Sequence, residues 1–170
     1  ELKAFVEETR LLERLEHPNL IKGLGVAKYG KTVFAKLAYI EGETLLEILD
    51  GMKAEDDAMP EEEALRVVLE TARALAYLES QSIVHRDIKP GNIMYTEAGR
   101  VVLIDLGFAA SSGAQGKSDS GVGTVAYLSP EQARGGASAD ARSDIYSLGV
   151  SLFQLVIGRL PFDSSDDREV

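Results

Sequence analysis

The sequence contains no cysteine. Without cysteine the chain can form neither disulfide bonds nor thiolate metal sites, so nothing in it indicates secretion. It also lacks any apolar run of about 18 residues, the length that a membrane-spanning helix needs. No basic and apolar targeting segment stands at its start. These absences predict a cytoplasmic location and no membrane segment.

Acidic residues outnumber basic ones by 28 to 18, which gives the chain a net charge of −10. This balance disfavours a surface that binds nucleic acid, because phosphates attract clusters of lysine and arginine. The length of 170 residues suffices for one domain with a substantial core. Since the sequence begins inside a helical pattern, without methionine, and stops soon after another helix, we expect a piece of a longer chain.

A helical pattern opens the sequence. Residues 2–16 place three apolar side chains on one stripe, those of Phe5, Leu12 and Leu15. Glu8 lies three residues after the first of these and four before the second, so it shares their apolar face. Pro18 cannot continue the helix and therefore ends it.

Two strands and two helices are predicted next. Residues 24–40 predict two short strands joined at Gly30. Residues 44–51 predict a short helix with Gly51 as its C-cap. Pro60 and the three glutamates after it predict the start of a long helix, because both suit a helix N-terminus. The buried stripe of this helix is predicted to consist of Leu65, Val68, Ala72 and Leu75.

Two later segments differ sharply in composition. Residues 107–123 are small, polar and rich in glycine, which predicts a long loop. Loops of this length inside a compact domain are usually functional. Residues 143–158 are apolar on nearly every side, which predicts a helix at the centre of a helical lobe.

Polar side chains stand at the open end of a predicted hairpin. Residues 92–96 and 100–105 predict two strands joined by a turn at residues 98–99. Pairing of these strands would return Asp105 to the neighbourhood of Asn92. The oxygen atoms of both side chains are hard ligands suited to Mg²⁺.

The segment HRDIKPGN, residues 85–92, precedes this hairpin. Asp87 offers a carboxylate that can accept a proton from a hydroxyl group, and Lys89 is a cation two residues later. A base, a cation and a pair of metal ligands are together what the transfer of a phosphoryl group to an alcohol requires.

Five motifs resemble, in their order and spacing, those of the catalytic domain of eukaryotic-type protein kinases. HRDIKPGN resembles the catalytic loop, and DLG, at 105–107, resembles the metal-binding triplet DFG. GTVAYLSPE, at 123–131, resembles the substrate-docking segment that ends in APE. FVEETRLLERLEHPNL resembles the regulatory C-helix, and SDIYSLGVSLFQLVIGRLPF resembles the long central helix of the helical lobe. YLSPEQARG and SDIYSLGV look most like the serine/threonine kinases of bacteria.

The resemblance implies an α+β fold that contains parts of both kinase lobes. Residues 1–40 would form the C-helix, two strands and the hinge of the N-lobe. Residues 41–170 would form most of the helical C-lobe. The glycine-rich loop and the lysine-bearing strand of the family do not occur in the sequence, so we expect this piece alone to be inactive.

The resemblance also implies ATP-dependent phosphoryl transfer to serine and threonine hydroxyls of proteins, with Mg²⁺ as the metal and Mn²⁺ as an alternative ion. Two other functions stay open. A pseudokinase that binds partners without catalysis is one, because the ATP-contacting lysine of the family lies outside the sequence. A kinase for small molecules is the other, although such an enzyme would not need the peptide-docking segment.

Carried over residue by residue, the resemblance assigns Asp87 as the catalytic base and Lys89 as the cation that neutralises the γ-phosphate. Asn92 and Asp105 would hold magnesium. Thr124, together with Lys89, matches the catalytic residues of the serine/threonine subgroup rather than those of the tyrosine subgroup.

Further residues would surround the nucleotide. Glu8 would orient the ATP-contacting lysine of the family, and Leu37 would be the gatekeeper. The backbone from Ala38 to Ile40 would border the adenine, and Met94 would lie under the purine ring.

The resemblance implies regulation by phosphorylation as well. Arg86, immediately before Asp87, would pair with a phosphorylated activation loop. Ser118 and Ser120 lie six and four residues before Thr124, and these spacings make them the candidates for phosphorylation.

Four residues would have structural roles in the kinase fold. His85 would be a packed histidine rather than an acid or base, and Leu106 would supply the apolar side chain that packs between His85 and Leu12. Asp144 would hold the backbone of the catalytic loop. Glu131 would pair with an arginine from a helix that follows the sequence.

Overall fold

The computed structural model describes residues 2–55, 57–106, 125–134 and 140–162, without the side chains of residues 2–4 and of Glu8. Within these residues no helix is long and apolar enough to cross a membrane. The helices and strands follow one another as α1 (Leu2–Arg14), β1 (Gly23–Tyr29), β2 (Thr32–Leu37), β3 (Glu43–Thr44), α2 (Leu45–Ala54), α3 (Glu61–Ser80), β4 (Ile93–Tyr95), β5 (Val101–Leu103), α4 (Pro130–Ala133) and α5 (Ala141–Ile157).

The first sheet consists of the antiparallel strands β1 and β2, and it carries α1. Gly30, in the turn between the strands, has a φ of 58°, a conformation that favours glycine. The α1 helix crosses β1 so closely that a Cβ atom on Gly23 would lie 2.7 Å from the backbone carbon of Leu12. Beyond the helix, the Lys22 ammonium donates to the carbonyl of Glu13 at 3.2 Å and caps the C-terminal turn.

The second sheet is antiparallel, with the strand order β3-β4-β5. Strand β3 is only two residues long and pairs with Tyr95 and Met94, so no periodic pattern could predict it. The segment after α1 is tied to this sheet. Leu103 donates its N–H to Asn19 at 2.8 Å and accepts from the N–H of Ile21 at 2.9 Å. The end of α1 is therefore held directly against the hairpin that carries the predicted site.

Helix α3 packs against α5 and β5 in the core. It starts after Pro60 with three glutamates in its first turn, as predicted. Of the predicted buried stripe, Leu75 is buried, and Val68 and Ala72 are half-buried against the core. The prediction is wrong at Leu65, which is 49% exposed. Small residues on the buried face let the neighbouring helix approach, and a search for large apolar side chains overlooks them. The buried residues are Ala64, Val67, Thr71, Ala74, Leu75 and Leu78.

Helix α2 does not end at Gly51, so the predicted C-cap is wrong. The helix continues to Ala54 and has Glu55 as its C-cap. A Cβ atom on Gly51 would meet no atom within 4 Å, so this glycine is exposed within the helix. The start of α2 is fixed locally by a capping box, in which the side chains of Thr44 and Glu47 each accept the other's N–H.

Helix α5 begins after the N-cap Asp140 and ends at Ile157, with Gly158, whose φ is 76°, as its C-cap. The helix predicted from the apolar run is present and buries Leu148, Val150 and Leu155, but it is not buried on every side. Ile145 and Phe153 are 54% and 36% exposed. One stripe of the helix buries polar side chains instead, namely those of Ser143, Asp144, Ser147 and Ser151.

Candidate active site

The loop between α3 and β4 is held by a carboxylate of α5. Asp144, which is 4% exposed, accepts hydrogen bonds from the backbone N–H of His85 at 2.8 Å and of Arg86 at 2.7 Å. Arg86 has a φ of 71°, and such a left-handed conformation costs a residue other than glycine about 1–3 kcal/mol. The two hydrogen bonds offset this strain, and the strained residue directly precedes Asp87.

The side chains of Asp87, Lys89 and Asn92 meet in this loop. The Lys89 ammonium donates to the Asp87 carboxylate oxygens at 2.8 and 3.1 Å. Asn92 donates its Nδ2 to the carboxylate at 2.9 Å and to the backbone carbonyl of Asp87 at 2.7 Å. Lys89 and Asn92 thus orient the carboxylate from two sides. A group that accepts a proton in a fixed direction needs such an orientation.

The hairpin of β4 and β5 places two oxygen-bearing side chains at one end. The N–H of Ile104 donates to the carbonyl of Asn92 at 2.8 Å, so Asp105 follows directly beside the start of β4. Asp105 is exposed and has a φ of 59°, a second left-handed residue in the site. Because Nδ2 of Asn92 bonds to Asp87, Oδ1 is the amide atom that could ligate a metal.

Asn92 and Asp105 fit a magnesium site of a particular kind. In the described part of the chain, no three histidine, cysteine, aspartate or glutamate side chains are grouped so that they could hold a metal. Magnesium takes about six oxygen ligands and often binds proteins through one or two carboxylates plus substrate phosphates. The amide oxygen and the carboxylate suit that arrangement, in which the nucleotide supplies further ligands.

The residues predicted to surround the nucleotide lie on β2, β4 and the segment after β2. Leu37 ends β2 and is 43% exposed, and Met94 lies half-buried in β4. Ala38 donates its N–H to the carbonyl of Lys22 at 2.9 Å, so only its carbonyl oxygen is left to border an adenine. Ile40 is half-buried.

Four predicted site residues lie wholly or partly outside the described part of the chain. Glu8 belongs to α1, but its side chain is not described. The other three lie in the undescribed stretch between residues 106 and 125, namely Ser118, Ser120 and Thr124.

Burial decides the charge of His85. The side chain is 0% exposed, and burial lowers the pKa of its imidazole, although the Asp144 and Asp87 carboxylates act in the opposite direction. A neutral ring fits the geometry, because His85 Nδ1 accepts the N–H of Asp87 at 3.3 Å. Burial likewise raises the pKa of Asp144, and the N–H groups it accepts oppose that rise. Leu106 is buried in the core, and its packing between His85 and Leu12 stays a prediction.

Comparison with known proteins places this geometry in a family. The whole chain, residues 1–170, matches the family model of the protein kinase domain. The chain belongs to the protein kinase family. The resemblance read from the motifs and the kinase-like fold, with part of the N-lobe and a helical C-lobe, are therefore confirmed.

Similar kinases occur in several bacteria. The chain is 37% identical over 164 residues to the serine/threonine-protein kinase PrkC of Bacillus subtilis, covering 95% of this chain and 24% of that protein. It is 40% identical over 168 residues to PksC of Streptomyces coelicolor, covering 94% and 30%. It is 36% identical over 165 residues to PknB of Mycobacterium leprae, covering 93% and 26%. The chain spans about a quarter to a third of the length of these relatives.

The end of the segment that resembles the peptide-docking segment of kinases is bonded to α5. The backbone carbonyl of Tyr127 accepts a hydrogen bond from the Ser147 hydroxyl at 2.7 Å. The phenol hydroxyl of Tyr127 donates to Gln154. Burial raises the pKa of Tyr127 to about 12, so the hydroxyl keeps its proton. Glu131 accepts from the Ser143 hydroxyl, and this hydrogen bond lowers the pKa of the Glu131 carboxyl.

Gln132, which is half-buried, and the buried serines of α5 were not predicted. Gln132 donates to the Arg86 carbonyl, and its pairing with Ser129 is a capping box whose spacing could have been found in the sequence. The buried serines of α5 recur every fourth residue, which is the spacing of one helix face. They are Ser143, Ser147 and Ser151.

Proposed function

We propose that the full-length protein transfers the γ-phosphoryl group of ATP to serine and threonine hydroxyls of proteins. The observation that carries this proposal is the Asp87 carboxylate, held by Lys89 Nζ at 2.8 Å and Asn92 Nδ2 at 2.9 Å. A carboxylate in that position can orient a hydroxyl and accept its proton. The names of the relatives, which are serine/threonine-protein kinases, support the class of acceptor.

In the proposed reaction the acceptor oxygen forms a bond to the γ-phosphorus while the bond from that phosphorus to the bridging oxygen breaks, and ADP leaves. The hydroxyl proton passes to the Asp87 carboxylate. Lys89 places its charge beside the transferring group, because its ammonium already lies within hydrogen-bond distance of Asp87. Magnesium at Asn92 and Asp105 would neutralise negative charge on the phosphates.

The nucleotide is proposed to lie between the hinge and β4. The backbone from Ala38 to Ile40 would border the adenine, with Leu37 as the gatekeeper and Met94 below the ring. Glu8 would orient the lysine that contacts ATP in the family. Because ATP is the phosphoryl donor, we also propose that this domain works in the cytoplasm.

Arg86 supports a proposal for regulation. Its Nε atom is buried and has no hydrogen-bond partner among the described residues. A half-buried guanidinium with such an Nε favours an anion, and a phosphate adds about −1.5 to −2 charges with strong acceptor oxygens. We propose Ser118 or Ser120 as the residue whose phosphorylation pairs with Arg86. Thr124 is proposed to belong to the acceptor side of the site.

The proposed function is tested by phosphoryl transfer in the full-length protein. Radiolabelled ATP is supplied with matched peptides that carry serine, threonine or tyrosine at one acceptor position. We expect label on the first two, and we expect Asp87→Asn to reduce transfer by about 10²- to 10⁴-fold while ATP binding persists. A wild-type protein that labels no peptide would refute the proposal and favour the pseudokinase alternative, which no observation on the described residues favours now.

A further inference from the structure

The side chain of Gln132 joins two parts of the kinase domain that are 46 residues apart in sequence. Its Nε2 donates to the carbonyl oxygen of Arg86 at 2.9 Å, and its Oε1 accepts from the N–H of Ser129 at 3.0 Å. These partners determine the orientation of the amide. Exchanging its oxygen and nitrogen would set two donors against each other at Ser129 and two acceptors against each other at Arg86.

The carbonyl that Gln132 reaches belongs to the peptide bond between Arg86 and Asp87. The N–H of that same peptide donates to His85 Nδ1 at 3.3 Å. The N–H of Arg86 donates to Asp144 at 2.7 Å. Side chains from α4, α5 and the loop itself therefore hold this turn, in which Arg86 has a φ of 71°. Gln132 is the side chain that holds the carbonyl.

We infer that Gln132 is a positioning residue for phosphoryl transfer: it fixes the plane of the peptide before Asp87 and so aims the Asp87 carboxylate at the acceptor hydroxyl. This inference rests on the proposed kinase function. Gln132 belongs to α4, at the end of the peptide-docking segment. Its hydrogen bond to Arg86 therefore couples the position of that segment to the orientation of Asp87. Since the partners of the amide among the described residues are the backbone groups of Ser129 and Arg86, its loss should lower kcat and leave the KM for ATP unchanged.

Two substitutions separate the donor from the rest of the side chain. Gln132→Glu keeps an oxygen for the N–H of Ser129 and so keeps the capping box, but it turns an acceptor towards the Arg86 carbonyl. We expect kcat to fall by about 5- to 100-fold, because two acceptors that face each other at this part-buried contact cost more than a missing bond. Gln132→Ala removes both hydrogen bonds of the side chain but sets no acceptor against the Arg86 carbonyl, and a fall of about 3- to 10-fold is expected.

The pH dependence of Gln132→Glu provides a readout that a loss of packing would not change. When the new carboxyl is protonated, its O–H can donate to the Arg86 carbonyl in place of the original amide. The ratio of the kcat of Gln132→Glu to that of the wild type should therefore rise as the pH falls. The same ratio for Gln132→Ala should stay flat, because alanine has nothing to protonate.

A matched control and a direct view of the hydrogen bond complete the test. Gln81→Glu makes the same chemical change at an exposed glutamine just after α3, and its kcat should equal that of the wild type. The dipeptide Arg-Asp occurs once in the sequence. Full-length protein carrying ¹³C-carbonyl arginine and ¹⁵N-aspartate therefore gives one correlation from this chain, which Asp87→Asn removes and so identifies. Loss of the bond should move the carbonyl carbon of Arg86 upfield.

Each result decides the inference. It is supported if the carbonyl signal moves in both Gln132 variants but not in Gln81→Glu, and if kcat falls as described while the KM for ATP stays constant. It is overturned if the signal is unmoved, if both variants turn over like the control, or if the kcat ratio of Gln132→Glu ignores pH. A wild type without activity would refute the proposed function instead, and the carbonyl signal would still show whether Gln132 holds Arg86.

Discussion

Replacing Asp144 with asparagine removes one hydrogen-bond acceptor beneath the catalytic loop while barely changing the shape of the side chain. The carboxylate accepts two backbone N–H groups, those of His85 and Arg86, at 2.8 and 2.7 Å. The asparagine oxygen can accept one of them. Its amide nitrogen then faces the other N–H, so that one buried donor meets another donor and has no acceptor.

The size of the destabilisation follows from the hydrogen bond that is lost and from the buried charge that is removed. A hydrogen bond to a charged group contributes about 1.5–3 kcal/mol, and a buried donor left unsatisfied costs about 1–3 kcal/mol. Removal of a buried charge offsets part of this loss of free energy, since burial disfavours the charged form of Asp144 and raises its pKa. We therefore expect the loop to lose about 2–4 kcal/mol against local opening. Released strain at Arg86, whose φ is 71°, would let the turn relax and displace Asp87.

Hydrogen exchange of the full-length protein, followed at the amides of residues 83–92, measures this loss. A change of about 2–4 kcal/mol corresponds to exchange that is roughly 30- to 1000-fold faster. We also expect kcat to fall by about 10- to 100-fold, because small displacements of a catalytic group are that costly. Asp140→Asn is the matched control: it changes an exposed aspartate of the same helix to another good N-cap. Equal exchange rates in the two variants would refute the role given to Asp144.

Further predictions concern the metal, helix α1 and pH. Asp105→Ala should raise the Mg²⁺ concentration needed for half-maximal activity at fixed ATP, because it removes a proposed ligand; an unchanged requirement would point to another ligand. Gly23→Ala should lower the free energy of unfolding by about 1–3 kcal/mol, since the new Cβ would meet backbone at 2.7 Å, whereas Gly51→Ala should raise it by about 0.5–1 kcal/mol; denaturant titration that ranks them the other way would contradict the packing. Burial lowers the pKa of His85 from 6.5, so the unfolded chain takes up the proton first. The contribution of His85 to the free energy of unfolding should be complete above pH 6.5 and should decline below it, by at most about 1.4 kcal/mol per pH unit. A free energy of unfolding that does not change between about pH 7.5 and 5.5 would contradict this.

Local patterns in the sequence predicted much of this fold correctly. The hairpin that brings Asn92 near Asp105 is such a case, because strand alternation and a glycine turn are properties of neighbouring residues. The start of α3 after Pro60 is another, since helix N-termini favour proline and glutamate whatever lies around them. The motifs and their order indicated the kinase family, which the family comparison confirms.

The buried faces could not be read in the same way. Apolar periodicity pointed to Leu65, yet the face of α3 that enters the core contains small residues such as Ala64 and Ala74. Which face is buried depends on the shape of the helix that packs there, and that shape is absent from the local pattern. The C-cap expected at Gly51 failed for a related reason, because nothing around that glycine forces α2 to end.

The resemblance implied that Asp144 holds the catalytic loop, but only the tertiary structure decided the geometry of that contact and the part of Gln132 in it. The sequence contains Asp87, Lys89 and Asn92 within six positions, so their meeting is a local matter. The left-handed turn at Arg86 is not a local matter, because the turn persists only while partners far along the chain bind the backbone of the loop. Asp144 lies 59 residues from His85 and Gln132 lies 46 residues from Arg86, and each becomes a partner only through the packing of α4 and α5 on the loop. A sequence pattern carries the chemistry of such side chains, but their distance and direction arise when the helices pack.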